Sequence, residues 1–496
     1  MGGAAAALSA AAVIDGARGL RVRTLRGFLL VGGQRALSLV VTALGGIALA
    51  RLLMPDVFGA YALISFAVTL GVVFSDVGLG AALIQRRELG GEAALTAAFA
   101  AQLALAVALG GALVGLAPLA VTWLGAPAAS VSALRALAFL IPLAALRMPA
   151  AVVLERRLVY LPLTLADTLD TLAFYVVAVL SALGGAGVWS FVLGALAGRL
   201  AGVATLWIAV RWRPAARWRW RDLTGALAFG VLFHGSALIA MVRDAVVPIV
   251  VGAWAGLAGV GFVNWATALA FLPLSIVSIA GRVLFPALAR LQDDRVAFAR
   301  ATERALNRIA LVVYPLALLL MAAATPVVSV VYGEAWTPAV PTLRVLCLTT
   351  LVGGTSNLLV HALYALGRAG AVLRLNLAWT AILWVITPLL VAWLGILGFA
   401  VSSAAVALTM GSTAVVLRRL VPVNVLRPLA APLAAAVVAA LVLATLAQMW
   451  IHDLASLAVG AALAGAVYAA LIVAASGAAW RLELLADWRT VWQGRA

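Results

Sequence analysis

Seven charged residues stand inside long apolar stretches of this sequence: Arg35, Asp76, Asp167, Asp170, Arg199, Arg243 and Asp244. Charge at membrane depth costs ~2.5–3.5 kcal/mol or more per residue, so it persists where it faces a cavity, a partner or a substrate. An arginine guanidinium presents a planar fork of donors that matches phosphate oxygens two at a time. Arg35, Arg199 and Arg243 are therefore candidates for binding a phosphorylated substrate. A carboxylate at the same depth can take up a proton or a cation, which makes Asp76, Asp167, Asp170 and Asp244 candidates for ion coupling. Asp167 and Asp170 are three residues apart and share one helix face. A second reading is open on the same residues: a buried network in which arginines and acids neutralise one another and hold a bundle together.

The elements that must carry these residues are membrane helices. Hydrophobic residues make up 66% of the 496, charged residues only 10%. A soluble domain carries about 25% charged residues, so lipid must be the solvent for most of this chain. Fourteen apolar spans fit near 28–53, 58–84, 93–121, 132–154, 159–183, 186–210, 224–250, 258–284, 309–332, 342–366, 370–394, 396–417, 429–450 and 455–475. Most reach the ~20 residues that cross ~30 Å of hydrocarbon. They are continuous and rich in Leu, Ala and Val, unlike the short alternating strands of a barrel. On this spacing Arg35 lies ~10 Å, Asp76 ~12 Å, Asp167 and Asp170 ~12–16 Å and Arg199 ~16 Å from the inner helix ends.

Orientation follows from the basic residues, all 34 of which are arginine. Most fall in alternate connections: the 18–26 tail, 86–87, 147–157, 211–221, 282–308, 368–374, 418–427 and 481–495. The other connections keep Asp56, Glu334 and Asp453. Positive charge marks the cytoplasmic side, so both termini are expected in the cytoplasm of a bacterial inner-membrane protein. The formal charge of +17 therefore points to the membrane rather than to nucleic acid. The N-terminal Ala-rich stretch precedes its arginines, the reverse of a secretory signal. The single cysteine, Cys347, allows no intrachain disulfide.

The longest polar stretches, 211–223 and 285–308, are too short for a folded catalytic domain. The second reads as an amphipathic cytoplasmic helix, and the 476–496 tail as another on the membrane surface. Arg51, Arg135 and Arg344, near the outer ends, read as snorkelling side chains. His234 and His361 could carry protons but read first as packing residues. Trp123, Trp336 and Trp450 read as interface belts. A weak internal repeat sets "MPDVFGAYA" (54–62) 202 residues before "GLAGVGFVN" (256–264), so that Gly59 answers Gly261. Paired halves of this kind are a transporter habit.

Five blocks are more specific: "ARLLMPDVFGAYALI" (50–64), "FSDVGLGAALIQRRE" (74–88), "FPALARLQDD" (285–294), "YGEAWTPAVPTLRVL" (332–346) and "ALGRAG" (365–370). In order, they resemble the bacterial polysaccharide-transporter family. These are the Wzx-type flippases of lipid-linked oligosaccharides, within the MATE-like multidrug/oligosaccharidyl-lipid/polysaccharide superfamily. The resemblance covers about 25–420. It implies an all-α fold of two six-helix bundles about a pseudo-twofold axis, with two further helices. The corresponding divisions are a 1–27 tail, bundles 28–222 and 223–420, helices 13 and 14 in 421–475, and a 476–496 tail. It also implies alternating access that moves undecaprenyl-pyrophosphate-linked sugar repeats to the outer leaflet, no cofactor, and polymerase and export proteins as partners. One departure concerns helix seven, where Ala245 and Val247 replace the family's Asn and Asp before Val251-Gly252.

Three other readings compete. A MATE-like cation-coupled antiporter shares the fold but would carry other blocks. A membrane glycosyl enzyme needs a large outer loop with acid or base groups, and every outer loop here is short. A membrane scaffold without transport is compatible with composition alone.

Overall fold

Lipid offers backbone amides no hydrogen-bond partner, so long apolar segments must satisfy their own and become helices. The computed structural model describes residues 33–34, 37–76, 78–85, 92–215 and 238–475. Arg35, His234, both tails and most of the 211–223 polar stretch lie outside the described residues. Every regular element among the described residues is helical.

In the first unit, Met1–Pro248, the elements are α1 (Leu37–Leu52), α2 (Pro55–Ser75), α3 (Leu79–Gln85) and α4 (Glu92–Trp123). Then come α5 (Ser130–Arg156, with a tight turn at 138–139), α6 (Leu161–Leu183) and α7 (Val188–Val210). The next helix, α8 (Leu238–Ala270), is broken at Gly256. In the second unit, Ile249–Ala496, follow α9 (Leu274–Ala289), α10 (Arg295–Ala322) and α11 (Glu334–Ala365). The last four are α12 (Ala369–Leu394), α13 (Ile396–Arg418), α14 (Arg427–Met449) and α15 (Leu454–Ala475). Twelve of the described helices are long and apolar enough to cross a membrane, and the chain is a multi-pass membrane protein. The expected 258–284 span is two pieces: the end of α8, a turn at 271–273, and α9.

At both places matched by the repeat the chain leaves the helical conformation. Met54, ahead of α2, is extended at φ −74°, ψ 155°. At the matching place 202 residues on, the break in α8 is Gly256 at φ 66°, ψ −169°. A second match links the turns before α7 and α13. Gly187 caps α7 at φ 56°, ψ −127°, and Gly395 caps α13 at φ 57°, ψ −136°. Side chains are strained at such angles, which is why glycine holds both places.

Each unit has its own core. Ile64, Val68, Leu134, Ile141 and Val192 knit α2, α5 and α7. Phe298, Leu306, Val313, Leu358, Leu417 and Ala436 knit α10, α11, α13 and α14. Outward apolar side chains such as Leu119, Leu180 and Leu408 are exposed, as a lipid-facing surface requires.

Two expectations need correcting. The polar 295–308 stretch is no separate cytoplasmic helix. It is the first half of α10, whose start is capped by the Asp294 carboxylate accepting from the backbone N–H groups of Val296 and Ala297. Its apolar face is buried through Phe298 and Thr302, which makes the helix continuous into the span. The Glu303 carboxylate accepts from the Asn424 backbone N–H, and Asn307 donates to the Pro428 carbonyl, so the α13–α14 connection is tied to α10.

Trp336 is no interface-belt residue, whereas Trp123 is exposed. Trp336 is fully buried against Trp265 and Phe262 of α8, with ring centroids 5.1 and 6.0 Å away, and Tyr332 stands 4.8 Å from Trp265. The "YGEAW" block is thus a packing device. Trp336→Ala should cost about 3–5 kcal/mol, the range for emptying a buried aromatic site. A large fall in the melting temperature of the purified protein would show it; an unchanged one would refute it.

Candidate functional site in the first unit

Three helices of the first unit bring the charged residues together: α5, α6 and α7. The approach of α7 to α6 is set by Gly194, Gly198 and Gly202, spaced every fourth residue. A Cβ on Gly194 would stand 2.7 Å from the Phe174 carbonyl oxygen, and one on Gly198 only 2.6 Å from that of Asp170. Small residues at this spacing let membrane helices touch backbone to backbone. Arg199, next to Gly198, is thereby placed beside α6, and its Nη1 lies 3.4 Å from Asp170 Oδ2. On the other side, Trp207 Nε1 of α7 donates to the Leu146 carbonyl of α5 at 2.8 Å. The neighbouring Arg147 donates through Nη2 to Asp167 Oδ1 at 2.6 Å.

Two ion pairs therefore sit side by side on one face of α6. Arg147 is also within electrostatic reach of Asp170 and of Glu155 on its own helix. Tyr61 of α2, stacked on Phe191 of α7 at 4.7 Å, is within reach of Arg199. The four paired side chains are 24–45% exposed. The group is thus open on one side, as charged residues within membrane bundles commonly are where they serve a substrate or ion.

The other candidates stand apart from this group. Asp76 is exposed at the end of α2, and its carboxylate accepts from the Gly78 backbone N–H at 3.2 Å, closing a turn. Arg243 pairs with its neighbour Asp244 at 3.0 Å, with side chains 52% and 66% exposed, in the helical segment just before the wide π-helical stretch Val247–Val251. Exposed pairs of this kind add little. Arg135 donates to the Val114 carbonyl and Arg344 to the Thr325 hydroxyl, both exposed. His361 packs over Gly281, where a Cβ would meet its ring. Among the described residues, no three metal-ligating side chains converge.

Sequence reasoning counted Arg147 with Arg156 and Arg157 and did not single it out; the structure pairs it with Asp167. It stands nine residues before Arg156, ~14 Å along the helix. That distance was one signal; the glycines of α7 were another.

A family described as polysaccharide biosynthesis protein matches residues 48–341. The chain belongs to this family. Among related proteins, the succinoglycan biosynthesis transport protein ExoT of Rhizobium meliloti (strain 1021) is 29% identical over 329 residues, 66% of this chain and 65% of that protein. The lipopolysaccharide biosynthesis protein WzxC of Escherichia coli (strain K12) is 26% identical over 166 residues, 33% of this chain and 34% of WzxC. The chain thus spans just under two thirds of the first relative's length and about a third of the second's.

Among solved structures, the lipid II flippase MurJ in an inward closed conformation superposes with a TM-score of 0.73 at 12% identity, over 90% of this chain and 98% of that one. An inward-facing multidrug-resistance MATE transporter gives 0.62 at 15% identity, over 77% and 95%. Both share the fold.

Proposed function

We propose that this polysaccharide-family chain is a flippase that carries lipid-linked oligosaccharide repeats, joined to their polyprenol by a diphosphate, across the bacterial inner membrane. The observation that carries the reading is the family match across 48–341 in a chain that shares the fold of a lipid II flippase over 90% of its length. The chemistry agrees. A diphosphate headgroup cannot cross hydrocarbon bare, and Arg147 and Arg199 offer two guanidiniums in one open-sided group. Both termini are cytoplasmic by the arginine distribution. Fourteen spans are the reading if the shorter α1 crosses the membrane and the two parts of α8 either side of Gly256 cross separately, the second with α9; twelve helices are long enough by themselves. The repeated halves suit alternating access, with polysaccharide polymerase and export proteins as partners.

Loss of the protein should leave lipid-linked repeats on the cytoplasmic leaflet and strip the surface of its glycan. Labelling of inverted and right-side-out vesicles from a deletion strain measures the first, and surface carbohydrate the second. Normal surface glycan without accumulation would remove the reading. The MATE-like antiporter alternative has the shared fold in its favour, but the family match weighs against it.

A further inference from the structure

The ion pairs on α6 carry a consequence for how protons and substrate are linked at this site. We infer that a diphosphate and protons are taken up together there: as the diphosphate takes Arg147 and Arg199 from their acids, Asp167 and Asp170 each gain a proton. The inference rests on the flippase reading for its substrate.

The geometry leads to it in three steps. First, among the described residues each acid has one arginine within ion-pair distance, Arg147 at 2.6 Å from Asp167 and Arg199 at 3.4 Å from Asp170. Second, the acids cannot follow the arginines. They share one face of α6, and α6 is clamped to α7 at the glycines, where backbone meets backbone. The guanidiniums, on long flexible stems, can swing to a ligand entering from the open side. Third, a carboxylate whose cation has left, inside a bundle, is stabilised by taking a proton from water.

Charge balance agrees. A diphosphate joined at both ends, to lipid and to sugar, carries one negative charge on each phosphate. Empty, the group holds two guanidinium and two carboxylate charges. Loaded, it holds two guanidinium charges, two phosphate charges and two neutral carboxyls. Each state is neutral, and the proton count follows: one to each carboxyl from water, none from the substrate. Among the described residues, Glu155 from α5 is the other acid within reach of Asp167, while Tyr61 from α2 lies within reach of Arg199 and of Tyr175 on α6.

The sign of the linkage matters for transport. Binding partners that promote one another do so reciprocally, so low pH should favour diphosphate binding here. Protons and substrate then cannot compete at this site, and any proton-for-substrate exchange must use other groups.

The test is calorimetry on the purified full chain with farnesyl diphosphate N-acetylglucosamine, a diester whose phosphates do not titrate near neutrality. Titrations at pH 7 in two buffers of different ionisation enthalpy give the protons taken up per ligand bound. Between one and two are expected, with affinity rising about tenfold per pH unit of acidification for each proton. Asp167→Asn or Asp170→Asn should each remove about half of the uptake, and the two together all of it. Binding without proton uptake, or uptake unaltered in the single variants, overturns the inference and leaves the flippase reading intact. No binding at all at millimolar ligand overturns both.

Discussion

Arg147→Ala should lower the protein's abundance in the membrane and abolish export, and Asp167→Asn in the same chain should restore abundance without restoring export. The guanidinium donates to Asp167 at 2.6 Å, so its removal strands a carboxylate within the bundle. Breaking one side of a buried pair costs about 3–5 kcal/mol. Here the side chains are 24% and 45% exposed, so the cost falls below that range and above the ~1 kcal/mol of a surface pair. Neutralising Asp167 removes the stranded charge but cannot return a donor for phosphate. Arg147→Lys keeps a charge near Asp167 and loses the planar fork, so abundance should hold while export falls. Quantitative immunoblots of membranes, read beside surface glycan, separate these outcomes. Recovery of both abundance and export in the double variant would make Arg147 a structural residue only.

Gly198→Leu should be the most damaging single change on α7. Its first side-chain atom would stand 2.6 Å from the Asp170 carbonyl oxygen, 2.7 Å from Asp170 Oδ1 and 3.2 Å from Phe174 Cβ. Two of those neighbours belong to backbone or to the ion pair, so α6 and α7 must part. Overpacking of this kind costs about 1–3 kcal/mol, and the parting also carries Arg199 away from Asp170. A lower melting temperature together with lost export is expected. Gly115→Leu on α4 is the matched control, since nothing lies within 4 Å of a Cβ there. Equal effects of the two substitutions would show that close α6–α7 contact is not what positions Arg199.

Much of this was legible from residues alone. Continuous apolar runs with few charges dictate helices, because lipid leaves the backbone no other partner. The spacing of Asp167 and Asp170 dictates a shared face on any helix. The five sequence blocks pointed to the family that the 48–341 match establishes. All of these are local properties, written within a few turns of chain.

What only the tertiary structure decided is which element meets which. Asp167 is answered by Arg147, an arginine that charge counting grouped with Arg156 and Arg157, while Asp76 turns to a nearby backbone N–H. Trp336 sits at a span end, where belts form, yet lies buried because α8 brings Trp265 and Phe262 against it. The polar half of α10 reads as a separate surface helix until Phe298 is seen inside the second unit's core. Apart from the local turn at Asp76, the deciding contacts join different helices. Their existence depends on how closely two helices approach, which at Arg199 is governed by the glycines that leave α7 room to touch α6.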